Sequence, residues 1–223
     1  MDEGIKLRVP SHIEARTLYT KEAILAWEKH SLILLVGGSK SGKSTLAEQI
    51  AVEAAKYFDS SLHYLATLRP GKDKENLRRI ELHRAQRAGK GFESWECPNR
   101  LKDLEGLQLN NSILLLECLG NFVANAMFEE GFFEGKRPDP KAEYALADSL
   151  CEEILKASRQ TDQFILVSND ISSDCVNFDE GSLAWRRLIG QCHMNLLHYD
   201  QTAFIEVSAG QYFYHSGSGK EER

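Results

Sequence analysis

A chain of 223 residues, 42% hydrophobic and 27% charged, is long enough for one α/β domain with a full core and short for two. Its net charge of -6 excludes a general attraction to nucleic acid or anionic lipid and leaves room only for local basic sites. The five cysteines, Cys97, Cys118, Cys151, Cys175 and Cys192, form no C-x-x-C pair and have no histidine at zinc-finger spacing. That argues against a structural metal and a disulfide framework, and for free thiols in a reducing cytoplasm.

Residues 1–30 read as a leader. Within it, Lys21–His30 carries Ala23, Ile24, Ala26 and Trp27 near helical spacing, the pattern of a short amphipathic helix packed on the domain or on a neighbouring subunit. The chain starts Met1-Asp2-Glu3-Gly4, and its first apolar run, Leu32–Val36, is far shorter than the roughly 20 residues of a membrane helix. A cytoplasmic protein without a membrane span is expected. Leu32–Val36 reads as a buried strand, Ser44–Tyr57 as a helix, Leu62–Ala66 as a short strand and Asp73–Ala88 as a charged helix. Ser112–Glu117 reads as a strand, Phe122–Glu130 as a helix, and Pro138 and Pro140 mark a loop. Tyr144–Arg159 is amphipathic and helical, Phe164–Ser168 is another strand, Ser182–Leu197 a helix, and Ala203–Val207 and Gln211–Tyr214 closing strands. Residues 31–215 thus form one nucleotide-binding domain, and Ser216–Arg223, rich in Gly, Ser and charge, a frayed tail.

Apolar runs without alternation, separated by helices, describe a mostly parallel sheet covered on both faces. The segment Gly37-Gly38-Ser39-Lys40-Ser41-Gly42-Lys43-Ser44 fits G-x-x-x-x-G-K-[ST] without a mismatch. Its glycines let backbone N–H groups turn inward onto phosphates. Lys43 supplies charge near the β- and γ-phosphates, Ser44 offers a hydroxyl to magnesium, and the following helix points its positive end at the anion. Thr45 belongs to the same nucleotide-binding set. A strand runs into the loop and a helix leaves it, so the expected class is an α/β P-loop NTPase domain of RecA-like type, binding a nucleoside triphosphate with Mg2+. Such a domain needs an acid at the end of a neighbouring strand. Glu117 stands there, and Asp170 is a second, weaker candidate on the same side of the sheet.

The stretch from Arg78 to Arg87 holds His83 among arginines, with Arg79, His83 and Arg87 spaced on one helix face. Nearby arginines favour the neutral, nucleophilic imidazole and bind phosphate oxygens. Residue chemistry alone leaves two readings open, a solvated basic helix or a nucleophile that attacks an α-phosphorus.

Four segments together resemble the bifunctional adenosylcobinamide kinase / adenosylcobinamide-phosphate guanylyltransferase family of cobalamin biosynthesis. They are Val36–Ser44, the motif Arg79-Ile80-Glu81-Leu82-His83-Arg84 with Arg87 and Trp95-Glu96-Cys97-Pro98, the strand Leu114–Leu119 with Asn125, and Val167-Ser168-Asn169-Asp170 with Trp185-Arg186 and Gly190. The resemblance implies ATP or GTP as substrates and His83 as the residue that becomes guanylylated. It also implies Glu117 as the second-motif acid, adenosylcobinamide and its phosphate as acceptors, and a homotrimer, while the charge of Arg84 and Arg87 makes them candidate phosphate clamps. Asp73 and Glu75 match an acid pair of the family. The sequence departs from the family pattern at Ile171-Ser172-Ser173-Asp174, which lacks the usual glycines and proline, at Arg187 in place of an acid, and at His193-Met194 in place of Asn-Gln. These departures point at the acceptor end or a subunit contact. They keep two other functions in view, a kinase or nucleotidyltransferase for another small molecule and a nucleotide-binding regulatory module.

Overall fold

A computed structural model describes residues 31–69, 74–96, 99–104, 106–132, 139–171, 179–199, 201–208 and 210–215. The expected leader helix Lys21–His30, the residues Asp73, Cys97, Pro98 and Cys175, the divergent segment 172–174 and the tail Ser216–Arg223 lie outside the described residues, as do the side chains of Glu75 and Arg79.

The sheet is organised around β1 (Ser31–Gly37), in which Leu32, Ile33, Leu34 and Leu35 are fully buried. Successive side chains of a strand point to opposite faces, so an unbroken apolar run serves a strand covered on both sides. Leu32, Leu34 and Val36 pack toward α3 (Leu119–Glu129), α4 (Pro140–Ser158) and α5 (Glu180–Leu197). Ile33 and Leu35 pack toward α1 (Lys43–Phe58) through Leu46, Ala47, Ile50 and Ala51. The remaining strands are β2 (Ser61–Ala66), β3 (Glu93–Glu96), β4 (Ser112–Glu117), β5 (Gln163–Asn169), β6 (Thr202–Ser208) and β7 (Gln211–His215), and α2 (Lys74–Arg87) connects β2 to β3. The sheet order is β3-β2-β4-β5-β1-β6-β7, parallel throughout except for the β6–β7 hairpin. This is the expected mostly parallel α/β sheet with helices on both faces. Among the described residues no helix is long and apolar enough to cross a membrane.

The structure changes three element readings. β3 has no apolar run, since Glu93-Ser94-Trp95-Glu96 is an exposed edge strand that pairs only with β2, and edge strands tolerate charge. α4 begins at Pro140 rather than at Tyr144. Asp139 caps it by accepting from Lys141 N at 3.0 Å, and proline is at ease in the first turn, where its missing N–H has no intrahelical acceptor. α3 begins at Leu119 rather than at Phe122, its first turn closed by Phe122 N donating to Cys118 O at 3.1 Å, and Gly120 within that turn leaves room for Trp185 to donate to its carbonyl at 2.8 Å.

The carboxyl edge of the sheet is tied by Thr67. Its hydroxyl donates to Cys118 O at 3.0 Å and accepts from Cys118 N at 2.7 Å, while Asn125 Nδ2 donates to Thr67 O at 2.8 Å. Two of the sequence departures find partners, one on α4 and one on β5. Arg187 donates from Nε and Nη2 to the Glu143 carboxylate at 2.8 and 2.7 Å, and His193 Nε2 meets Ser168 Oγ at 2.8 Å.

Burial lowers the His193 pKa from 6.5 to about 4, with the Asp170 charge opposing the shift. The unfolded chain therefore takes up a proton below pH 6.5 that the fold refuses until about pH 4, so stability is full above the unfolded pKa and falls as pH drops through this window. A loss of about 2 kcal/mol between pH 7 and pH 5 is expected from this group. Urea unfolding of wild type and His193→Gln at the two pH values checks it, since the variant should lose correspondingly less.

Candidate active site

The loop between β1 and α1 is shaped by backbone constraints. A Cβ on Gly37 would stand 2.5 Å from Val207 O and 2.7 Å from Ser41 Oγ, so no other residue fits where β1 enters the loop. Gly42 has φ 95° and Lys40 φ 59°, both left-handed. Gly42 O accepts from Leu46 N at 3.0 Å, and α1 begins at once with its N-terminus on the loop. Lys43 is buried and its ammonium donates to Gly38 O at 2.9 Å, which folds it over the loop that Gly38, Ser39 and Lys40 complete. Ser44 follows Lys43 in the first turn with Thr45 beside it, and the buried Ser41 Oγ has no hydrogen-bond partner among the described residues.

Glu117 closes β4 next to this loop, and its Oε1 accepts the Ser44 hydroxyl. Two hard oxygen donors in contact, beside a phosphate cradle, fit Mg2+, which is ordinarily held by one or two protein oxygens together with phosphate oxygens and water. Asp170 lies at the end of β5, its N–H donating to Gly37 O at 3.0 Å. It is less well placed than Glu117, which touches Ser44 directly.

A cleft of about 220 Å³ opens on the other side of Glu117. His83, Arg84 and Arg87 of α2 line it, facing Glu117, Cys118 and Asn121 across the carboxyl ends of β2 and β4. The basic helix and the phosphate loop's acid thus share one cavity. Lys43 is not among the described residues lining it; Glu117 is the link. Arg87 is 7% exposed, its guanidinium carbon 3.5 Å from the Tyr64 ring centroid, and its Nε and Nη1 are buried without a hydrogen-bond partner among the described residues. His83 Nδ1 is likewise buried and unpartnered. Arg84 is exposed at the rim, 3.5 Å from Glu96 Oε1. Buried guanidinium donors without partners are costly, and a ligand bearing anionic oxygens would satisfy those of Arg87; His83 Nδ1 donates or accepts according to its tautomer.

Two other nucleophile candidates fail on chemistry. Burial raises the Cys118 pKa, so this cleft residue stays a thiol. Ser61, His63 and Glu93 have the spacing of a catalytic triad, with Ser61 Oγ 2.9 Å from His63 Nε2 and Glu93 Oε2 3.3 Å from Nδ1. The Trp95 indole, a donor only, points its N–H at Nδ1 from 3.2 Å, which leaves the proton on Nε2 and denies the histidine a role as base toward Ser61.

Sequence reasoning missed Tyr64, Thr67 and Asn121, and quoted Glu96 in a motif without giving it a role. Tyr64 and Thr67 lie in and just after a short apolar strand where nothing distinguishes them from core. Glu96 lies in the edge strand that has no apolar signal.

A family model described as cobinamide kinase / cobinamide phosphate guanyltransferase matches residues 33–212. The bifunctional adenosylcobalamin biosynthesis protein CobU of Escherichia coli (strain K12) is 29% identical over 185 residues, covering 79% of this chain and 96% of that protein. The Salmonella typhimurium protein of the same name is 26% identical over 183 residues, covering 79% and 96%. The corresponding CobP of Pseudomonas aeruginosa is 32% identical over 161 residues, covering 72% and 83%. Among solved structures, the flagellar accessory protein FlaH of Methanocaldococcus jannaschii superposes with a TM-score of 0.45 at 12% identity, over 93% of this chain and 83% of its own. The RadB recombinase gives 0.42 at 13%, over 87% and 91%.

Gly37→Ala is expected to weaken triphosphate binding by at least about tenfold, since its Cβ would displace either β6 or the loop. Titration with a fluorescent GTP analogue, alongside a thermal melt to confirm folding, checks this.

Proposed function

The chain belongs to the cobinamide kinase / cobinamide phosphate guanyltransferase family, and on that premise we propose that it carries out both reactions, with GMP passing through a covalent adduct on His83. In the first, the aminopropanol hydroxyl of adenosylcobinamide forms a bond to the γ-phosphorus of ATP or GTP as the bond to the nucleoside diphosphate breaks. Lys43 and the loop amides from Gly37 to Ser44 stabilise the charge on the transferring group. Ser44 and Glu117 would hold Mg2+, which supplies charge neutralisation on the phosphates.

In the second reaction the imidazole of His83 attacks the α-phosphorus of GTP, and pyrophosphate leaves with the electrons of the broken P–O bond. The phosphate oxygen of adenosylcobinamide phosphate then attacks the same phosphorus, the P–N bond breaks, and adenosylcobinamide-GDP leaves. Arg87, with Arg84 at the rim, would bind the phosphate oxygens around the attacked centre. What carries this reading is the set of buried polar atoms without partners, His83 Nδ1 and Arg87 Nε and Nη1, in the same cleft as Glu117. The reading extends to a cytoplasmic homotrimer and to residues 31–215 acting as one nucleotide-binding domain behind the leader 1–30.

Incubation with GTP labelled at the α-phosphate tests it. Wild type should acquire an acid-labile, alkali-stable label that adenosylcobinamide phosphate discharges, and His83→Ala should carry at least about a hundredfold less while still phosphorylating adenosylcobinamide. Undiminished label on His83→Ala would refute the covalent step. Labelled enzyme that the cobinamide phosphate fails to discharge would mean a different acceptor.

A further inference from the structure

We infer that Tyr64 is a positioning residue that sets both halves of the site, its hydroxyl holding Glu117 and its ring face holding Arg87. This rests on the roles proposed above for Glu117 and Arg87. Tyr64 is 4% exposed on β2, in register with Leu115 of β4, which shares a sheet face with Glu117. Its hydroxyl donates to Glu117 Oε2 at 3.2 Å, while Glu117 Oε1 accepts from Ser44. Each carboxylate oxygen is thus held from a different side, and the group cannot turn away from the phosphate loop without losing a hydrogen bond.

The ring does different work. Arg87 sits over it, Cζ 3.5 Å from the centroid, and Phe92 packs edge-on at 6.1 Å and 85°, which fixes the ring's orientation. An aromatic face attracts a guanidinium through its quadrupole and uses none of the N–H donors. A carboxylate in the same place would occupy those donors and neutralise the charge. Stacking therefore keeps Arg87 ordered and buried with Nε and Nη1 available to an anion. Tyr64 acts on the two centres through Glu117 and Arg87.

Calorimetric titration of GTP into the full chain, first in EDTA and then with Mg2+, separates the two contacts. Tyr64→Leu removes both. In EDTA it should weaken GTP about tenfold, as Arg87→Ala should, and the double variant should bind no more weakly than Arg87→Ala alone. Tyr64→Phe keeps the ring, so its affinity in EDTA should stay within about twofold of wild type while the gain on adding Mg2+ shrinks about fivefold. A side chain that merely filled the core would weaken both conditions alike and multiply with Arg87→Ala. Multiplying losses in the double variant, or a wild-type Mg2+ gain in Tyr64→Phe, overturns the assignment. If Tyr64→Leu does not fold, Tyr64→Phe decides the hold on Glu117, and Tyr64→Met, which fills a similar volume without a ring, replaces Tyr64→Leu for the hold on Arg87. An Arg87→Ala affinity equal to wild type overturns both the phosphate role of Arg87 and its positioning by Tyr64. Loss of His83 labelling with these binding constants as expected speaks only against the covalent reaction.

Discussion

The close approach of β1 to β6 at Gly37 governs the nucleotide end of this molecule. A hydrogen where every other residue has a Cβ lets the strand pass Val207 O and turn into the loop. The loop can then deliver Gly42 in a left-handed conformation to the start of α1. Because β1 is anchored in the sheet centre by side chains fully buried on both faces, the loop inherits a rigid base. The positions of Lys43 and Ser44 follow from that geometry.

The second half of the site is built differently. No loop carries His83 and Arg87; they come from α2, a helix with little apolar content whose side chains meet the sheet edge formed by β2 and β3. Among the described residues, its contacts with the sheet include Arg87 on the Tyr64 ring and Arg84 near Glu96. Surface ion pairs of the Arg84 type contribute little, about 0–1 kcal/mol, so of these two contacts the buried one on Tyr64 contributes more. Glu117 stands between the two halves and touches both through its separate oxygens. Thr67 and Asn125 lock the backbone on which Glu117 sits.

The departures from the family pattern read differently once placed. Arg187 reverses a charge, yet it meets Glu143 of α4 in a two-pronged pair, and His193 meets Ser168 while burial keeps it neutral near pH 7. Arg187 joins α4 to α5 and His193 joins α5 to β5, and neither lines the His83 cleft among the described residues. Each of the two thus has a structural partner within the fold.

The sequence by itself determined the sheet class, the phosphate loop and the strand-end acid. Each depends on a local pattern with one physical solution: apolar runs that demand two-sided burial, glycines that demand left-handed turns, and a carboxylate at the end of a core strand. It also nominated His83, through helical spacing among arginines, but could not say what faced that helix. Only the tertiary structure decided that α2 closes over β2, so that His83, Arg87 and Glu117 share one cleft. Tyr64 came to light only there, since a tyrosine in an apolar strand looks like core until its hydroxyl and its ring face are seen to have different partners. The edge strand β3 was hidden for a related reason. Its pairing depends on β2 lying beside it, and its own residues carry no periodic signal.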